Sequence, residues 1–563
     1  MQIVIPMSGF GERFRRAGYD IPKPLIEVQD KPIIAHVIDM FPGETDFHFI
    51  CNREHLENAD YKMRNILNQY CPSGKIYSIE PHKNGPVFAV QKIKKYLSLD
   101  KPVVVNYCDF TCYWDWAHFK NFVKNIKCLG SIPAYKGFHP HSLGNTNYAY
   151  LKENNGWVED IQEKQPYTNN RMNEYASSGT YYFSSGRIMF DSFDFMIEEG
   201  LEVGGEYYVS LAYKNFVKKP NSVTVYPLQH FMQWGTPEDV DEYNYWSKAF
   251  VSLLSKDEDK NTQKGSTVIP MAGLGKRFAD QGYIETKPLI NVSGLPMVIQ
   301  STRDLPKSNN YVFVIRSDMQ GYEEVKKELT ENFPNLIIKT IDYITDGQAK
   351  TATLGVNEII EDNSKDISPL TIGVCDSGII YNIQQFETLL NNPEIDLIVW
   401  GIKGYANAFR NPKMYGWLET DNNNNIKKVS VKDPLNDPKS DPIILGVFTF
   451  KNIKTFNTVT NSLFDRDGKI NNEFYMDSCI EDALNLGLKC VLFEVESFLC
   501  WGTPNDLKTF EYWQSCFHLW QSHPYKLEDD KRIPNTKLKE IFKNMIDSDP
   551  VKNMIWKQSF NDS

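Results

Sequence analysis

No stretch of this chain approaches the roughly 18–20 consecutive apolar residues that a helix needs to span a bilayer. An excess of positive charge is missing too: 61 lysines and arginines stand against 72 aspartates and glutamates, a formal net charge of −11. General affinity for a nucleic-acid backbone needs the opposite balance, so no nucleic-acid partner is expected and any anionic ligand must be met by local positive sites. Cysteine is sparse, ten in 563 residues. The closest pair, Cys108 and Cys112, lacks the C-x-x-C spacing of a zinc or redox motif, which predicts free thiols in a reducing compartment. The opening MQIVIPMSGFG has no basic n-region and no small-residue cleavage site; it reads as a strand running into a glycine turn. These absences together predict a soluble, cytoplasmic protein without a membrane span.

What the chain does have is repetition. Residues 7–25 read MSGFGERFRRAGYDIPKPL and residues 271–289 read MAGLGKRFADQGYIETKPL. Gly9, Gly11, Arg13, Phe14, Lys23, Pro24 and Leu25 correspond at one constant offset to Gly273, Gly275, Arg277, Phe278, Lys287, Pro288 and Leu289. Further anchors follow in the same order: Gly85 with Gly347, Asp109 with Asp376, Gly179 with Gly446, Glu206 with Glu473, and Trp234 with Trp501. A period this long exceeds any solenoid unit and predicts duplication of a whole domain. The expected division is a first domain over 1–253, a polar linker over 254–266, a second domain over 267–525 and a helical tail over 526–563. In the tail, Leu538, Ile541, Phe542, Met545 and Ile546 share one helical face, suited to docking on the protein itself or, alternatively, to a homo-oligomer contact.

Within each half, strand-like and helix-like patterns alternate: QIVIPM, PIIAHVIDMF, DFHFIC, then PVVVNY. Alternation of this kind predicts an α/β domain with a mostly parallel sheet flanked by helices. Ligands in such folds sit at the carboxyl ends of the strands, where QIVIPM and PVVVNY deliver their loops.

A glycine-rich turn after a strand offers backbone N–H groups to an anion and lets the chain approach a phosphate without a Cβ in the way. Taken alone, such a turn is equally a structural need for positive φ. Here Arg13 follows Gly11 closely and Lys23 follows before a Pro-Leu, so two cations converge on one anion. A planar guanidinium fork plus a compact ammonium suits a polyphosphate. The spacing is not that of a P-loop, where lysine directly follows the second glycine, and no ribose-binding acidic residue stands where a dinucleotide site needs one.

The combination G-x-G-x-R followed by P-K-P-L, written GFGERF…PKPL in one half and GLGKRF…TKPL in the other, resembles the sugar-phosphate nucleotidyltransferases, also called nucleotide-sugar pyrophosphorylases. The resemblance implies two tandem Rossmann-like, GT-A-like nucleotidyltransferase domains. It implies that the glycine loop with Arg13 and Lys23 holds a nucleoside triphosphate, that Gly9, Gly11 and Gly85 line the nucleotide, and that Asp109 binds Mg²⁺. It further implies that Lys164 grips the phosphorylated acceptor and that Gly179 and Glu206 line its pocket. In the second half the matching set is Gly273, Gly275, Arg277, Lys287, Gly347, Gln348, Asp376, Lys432, Gly446 and Glu473. The implied reaction transfers a nucleotidyl group from a nucleoside triphosphate to a sugar phosphate, or a small polyol or amino-alcohol phosphate, with release of pyrophosphate, in surface polysaccharide biosynthesis.

Two departures qualify this. The family often carries a second metal-binding aspartate in a D-x-G-T stretch, and Gln233 and Cys500 occupy that position here. The halves also differ where substrates would be read: Pro86 faces Gln348, Glu163 faces Val431, Ser210 faces Asp477 and Glu12 faces Lys276. Different ligands, or one active domain beside a degenerate regulatory or assembly domain, both follow from that. A glycosyltransferase of related fold is a further alternative, but its D-x-D would have to be D-R-D at 465–467 in a polar loop or D-V-D at 239–241 in a helix. Trp234 and Trp501 are expected in the core rather than stacked on a sugar.

Overall fold

Gln2–Met7 is buried along its whole length, as a central strand of a parallel sheet covered on both faces must be. Its two neighbours, Asp46–Asn52 and Val103–Asn106, both run parallel to it, which sets their carboxyl ends side by side. The protein, seen here in a computed structural model, is described over residues 1–145, 147–254, 263–359 and 368–553. It divides into two compact units, one formed by Met1–Asn244 with the chain from Lys543 on, the other by Tyr245–Phe542.

The first unit is built on a ten-stranded sheet. From one edge the order is Lys75–Ile79, Asp46–Asn52, Gln2–Met7, Val103–Asn106, Thr180–Phe183, Gly130–Tyr135, Val223–Leu228, Trp157–Glu163, Ala149–Asn154 and Tyr175–Ser177. The first four strands are mutually parallel. Thr180–Phe183 is antiparallel to both its neighbours, and Val223–Leu228 again runs parallel to Gly130–Tyr135. Helices such as Ile33–Asp39, Pro86–Lys92 and Gly186–Glu198 bury apolar residues beside the strands. This is a mixed α/β fold, less parallel than the alternating pattern predicts, because the strands from Trp157–Glu163 to Tyr175–Ser177 join the sheet through antiparallel pairings.

In the second unit the main path of the sheet is Leu336–Ile341, Ser308–Arg316, Gln263–Pro270, Leu370–Ile372, Ile443–Phe450, Leu397–Ile402 and Cys490–Glu494. The first four strands are parallel, Ile443–Phe450 is antiparallel to both neighbours, and Cys490–Glu494 is parallel to Leu397–Ile402. Each unit also has a small two-stranded ribbon, Phe110–Tyr113 with His230–Gln233 in the first and Ser377–Ile380 with Ser497–Cys500 in the second.

The boundaries differ from those expected. The first unit ends inside the helix Pro237–Ser252 rather than at residue 253, because the aromatic residues in its second part join the core of the other unit. Tyr245 donates its hydroxyl to Phe498 O at 2.8 Å, and Phe250 stacks on Phe510 with centroids 5.3 Å apart. Of the linker expected over 254–266, residues 255–262 lie outside the described residues, and from Gln263 the chain is already strand. The second unit continues past residue 525: Leu527 and Ile533 are buried, and Tyr525 donates to Asp530 Oδ2 at 2.9 Å. The tail helix forms at Leu538–Asp547, with Met545 buried and Phe542 exposed. Asp465, expected in a loop, closes the helix Ile453–Asp465.

Trp234 and Trp501 are fully buried core residues; Trp234 packs edge-on against Tyr243 at 5.3 Å. All ten cysteines are free. Among the described residues no helix is long and apolar enough to cross a membrane.

Candidate active site

The loops leaving Gln2–Met7 and Val103–Asn106 meet at a cleft of about 610 Å³ in the first unit. Gly9, Gly11, Arg13, Lys23, Gly85, Asp109, Lys164, Gly179 and Glu206 all line it, so every site residue expected in the first half converges on one cavity. Gly11, at φ +64°, caps the short helix Glu12–Arg16. A Cβ there would stand in ordinary contact with Lys23 Cβ, 3.8 Å away, so it is the positive φ that calls for glycine. The lysine enters from a 3-10 turn, Lys23–Leu25, set by Pro22 and Pro24, and its Nζ donates to Asp109 Oδ2 at 2.8 Å.

Burial works to lower the Lys23 ammonium, but Asp109 outweighs it and the net shift is upward, so the lysine remains a cation. Arg13 is exposed on the cleft and forms no ion pair among the described residues. Its fork is open to a ligand. The site therefore holds one cation tied to a carboxylate and one left open, as a polyphosphate site needs.

Asp109 is fixed by its backbone as well: Trp234 N donates to Asp109 O at 2.8 Å. Gly235 follows, and a Cβ on it would stand 3.3 Å from Asp109 Oδ2. The W-G-T-P motif is thereby explained, since tryptophan anchors the strand end in the core while glycine leaves room for the carboxylate. Gln233, in the place of the family's second aspartate, donates from Nε2 to Asp239 Oδ2 at 2.5 Å.

At the turn expected to line a nucleotide, Gly85 has φ +86°, and an added Cβ would meet Tyr207 N and O at 2.7 and 2.8 Å. Tyr207 N donates to Asn84 O at 3.0 Å and Val87 N donates to Tyr207 O at 3.2 Å. The turn is thus clamped to the segment carrying Glu206 and Tyr208. Lys164 sits at φ +59°, a left-handed conformation that costs a non-glycine residue about 1–2 kcal/mol. Its amide donates to Tyr148 O at 2.8 Å, and its Nζ donates to Tyr208 Oη at 2.5 Å; Tyr208 in turn donates to Glu206. The strained residue is thus a cation that lines the cleft. Gly179, at φ +97°, accepts from Tyr107 N at 3.0 Å.

In the second unit the corresponding residues form the same local contacts. Gly275 has φ +61° and stands against Lys287 Cβ. Lys287 Nζ donates to Asp376 Oδ2 at 2.5 Å and to Gly502 O at 3.2 Å, and its pKa is likewise raised by Asp376 against the effect of burial. Trp501 N donates to Asp376 O at 2.9 Å. Gly273 has open space where a Cβ would be, as Gly9 does, and Arg277 is exposed. Gly347, at φ +108°, abuts the Phe474 backbone and caps the helix that starts at Gln348. Lys432 repeats the left-handed backbone, φ +70°, and donates to Tyr475 Oη at 2.8 Å. Gly446 has φ +74° and lies against Val374. Glu473 departs from Glu206: its carboxylate has no hydrogen bond among the described residues.

Sequence reasoning missed Tyr208 and Tyr475, the partners of the two lysines. A tyrosine two residues after each of Glu206 and Glu473 was the available signal. It also left Glu163 as a mere difference between halves. The structure places Glu163 in the cleft, accepting from Ser210 Oγ at 2.6 Å, with burial raising its carboxyl to about 7.

A glycine-rich turn, an Arg-Lys pair and an aspartate at adjacent parallel strand ends define an α/β domain of the nucleotide-binding class. The model of the nucleotidyl transferase family matches residues 3–201, within the N-terminal part of the chain. Bifunctional protein GlmU of Methanocaldococcus jannaschii is 24% identical over 272 residues, 48% of this chain and 60% of that protein; the chain thus spans well under the full length of the curated relative it matches. Among solved structures, a nucleoside-diphosphate-sugar pyrophosphorylase from Vibrio cholerae RC9 aligns with TM-score 0.36 and 17% identity, covering 43% of this chain and 98% of that one. The inositol-1-phosphate CTP transferase from T. maritima aligns with TM-score 0.35 and 15% identity, covering 45% and 96%.

Proposed function

We propose that the protein transfers a nucleotidyl group from a nucleoside triphosphate to a phosphorylated small molecule, a sugar phosphate or a polyol or amino-alcohol phosphate, and releases pyrophosphate. The observation that carries this reading is the open guanidinium of Arg13 beside the Lys23–Asp109 pair, with the left-handed Lys164 across the same cleft. The acceptor is already anionic near neutral pH, so its phosphate oxygen attacks the α-phosphate without a general base, and pyrophosphate leaves in line on the far side. Arg13 and Lys23 neutralise the triphosphate as charge develops; Lys164, steadied by Tyr208, holds the acceptor phosphate at attacking distance.

Asp109 and Asp376 are the residues that would hold Mg²⁺. Among the described residues no cluster of three metal-ligating side chains is found, and Gln233 and Cys500 add no carboxylate. That donor set fits a hard cation bound by one carboxylate and by substrate phosphates, the usual manner of Mg²⁺. When bound, Mg²⁺ supplies charge neutralisation at the phosphates.

We infer further that the two units are duplicated copies and that the enzyme is bifunctional, acting in the cytoplasm on nucleotide-activated precursors of a surface polysaccharide. The matching strand orders and the repeated Lys-Asp and Lys-Tyr pairs support duplication. A second reading, one active unit and one degenerate regulatory unit, is favoured by the unbonded Glu473 carboxylate. The test is pyrophosphate release with the four nucleoside triphosphates and a panel of phosphorylated acceptors, with and without chelator. Wild type is run beside Asp109→Ala and Asp376→Ala. Release that each substitution lowers for a different substrate pair supports two active units; loss with one substitution alone supports the second reading, and no release from any pair overturns the proposal.

A further inference from the structure

The two units differ in their acceptor walls in a coordinated way. Each wall is framed by equivalent internal contacts. Lys164 N donates to Tyr148 O at 2.8 Å, and Lys432 N donates to Tyr415 O at 3.0 Å; each lysine then donates to a tyrosine hydroxyl, Tyr208 or Tyr475. These contacts establish which positions correspond: the residue before each lysine, the residue after Tyr148 or Tyr415, and the residue two places beyond Tyr208 or Tyr475.

In the first unit those positions hold Glu163, Ala149 and Ser210. Glu163 pairs across the strands with Ala149, and its carboxylate reaches over to accept from Ser210 Oγ. In the second unit they hold Val431, Gly416 and Asp477, with Gly416 paired across the strands with Val431. The carboxylate has left the strand and stands on the opposite wall. The third change makes room for it, since a Cβ on Gly416 would collide with Asp477 Oδ2. Gly416 is not at positive φ, so close approach of the carboxylate, rather than backbone conformation, explains the glycine. Asp477 accepts from no other side chain among the described residues, and Lys432 is the cation that acts on it. The Asp477 carboxylate thus stands against Gly416 and near Lys432 with no side-chain donor among the described residues, so its oxygens are available to hydroxyl donors of a ligand.

Resting on the reading of each unit as an acceptor site, we propose that Asp477 is the specificity-determining carboxylate of the second unit, accepting hydrogen bonds from hydroxyl groups of a polyhydroxylated phosphate ester whose phosphate is gripped by Lys432. Because the carboxylate comes from the opposite wall to Glu163, the two units read hydroxyls on different sides of their acceptors. Their preferred acceptors therefore differ in stereochemistry or in hydroxyl position.

The test is calorimetric titration of the full chain with gluco-, galacto- and manno-configured hexose 1-phosphates, glycerol phosphate and, as a hydroxyl-free probe, phosphocholine. Asp477→Asn should weaken at least one hydroxylated probe about tenfold or more, the range for a hydrogen bond to a charged group, and leave phosphocholine unchanged. Gly416→Ala should do the same by displacing the carboxylate without removing it. The triple change Val431→Glu, Gly416→Ala, Asp477→Ser should shift the second unit toward the probe that the first prefers. Equal weakening of phosphocholine, no effect of Asp477→Asn on any hydroxylated probe, or no binding of any hydroxylated probe would overturn the proposal. Absence of pyrophosphate release with intact Asp477-dependent binding would instead remove the transferase reading alone.

Discussion

Lys23 Nζ lies 2.8 Å from Asp109 Oδ2, and Lys287 Nζ lies 2.5 Å from Asp376 Oδ2. In each unit the lysine arrives from the turn after the glycine loop and the aspartate from the end of a parallel strand, so one ion pair ties together the two loops that shape the site. All four side chains are about a fifth to a quarter exposed, intermediate between a screened surface pair and a fully desolvated one.

Removing one partner leaves a poorly solvated charge. Asp109→Ala and Asp376→Ala should each lower the unfolding free energy by about 1–3 kcal/mol, as measured by urea titration at pH 7. Because the lysine pKa is raised in the fold, the pair's contribution is complete below the unfolded lysine value, about 10.4. It is lost as pH rises through the folded value. The difference between wild type and variant should therefore be flat from pH 7 to 9 and shrink above about 10.

Glu163 and Asp477 are each raised by burial to about 7, above unfolded values near 4. The fold thus favours their protonated forms, and that contribution is fully present below about pH 4 and lost as pH rises through 7. Glu163→Gln and Asp477→Asn should flatten the decline in stability between pH 5 and pH 8, so that each variant gains relative to wild type toward pH 8. Denaturant midpoints at three pH values would show it, and parallel curves for wild type and variants would contradict it.

At Lys164 and Lys432 the left-handed backbone and the ammonium can be separated. Lys164→Gly relieves strain that Lys164→Ala retains, so the glycine variant should be the more stable of the two by about 1 kcal/mol. Both should raise KM for the acceptor at least about tenfold, with KM for the triphosphate little changed. Thermal melts and steady-state kinetics on the same preparations separate the two effects.

Gly85→Ala and Gly347→Ala place a Cβ against backbone of Tyr207 and Phe474 at positive φ. Backbone cannot step aside as a flexible side chain can, so each should cost about 2–4 kcal/mol, and each should weaken the nucleotide and acceptor sites together because the turn and the Glu206 or Glu473 segment are clamped to each other. Melting temperature and triphosphate affinity check this; an unperturbed melt would contradict the clamp.

Much of this was legible in the chain. Gly9, Gly11, Arg13 and Lys23 lie within one strand-turn-helix, so their convergence follows from local geometry, and Asp109 follows from the neighbouring apolar strand by the general rule for parallel sheets. The alternation QIVIPM, PIIAHVIDMF, DFHFIC and PVVVNY reads as strand, helix, strand and strand, and so it folds. The domain boundary was not legible, because Pro237–Ser252 is one continuous helix and only its packing reveals that Tyr245 and Phe250 belong to another core. Neither was the reason for glycine after Trp234 and Trp501: Asp109 and Asp376 are far away in sequence, and only strand pairing brings their carboxylates against Gly235 and Gly502.

The sequence by itself determined the order of elements, the α/β class and the convergence of Arg13 and Lys23 on one cleft, because periodicity, turn chemistry and close spacing act over a few residues. Tertiary structure alone decided how the walls around Lys164 and Lys432 are composed. Glu163 with Ser210, and Asp477 over Gly416, are partners only through strand register and the fold of a distant segment. Whether a carboxylate reaches a ligand from one wall or the other depends on distances in space that no local rule specifies.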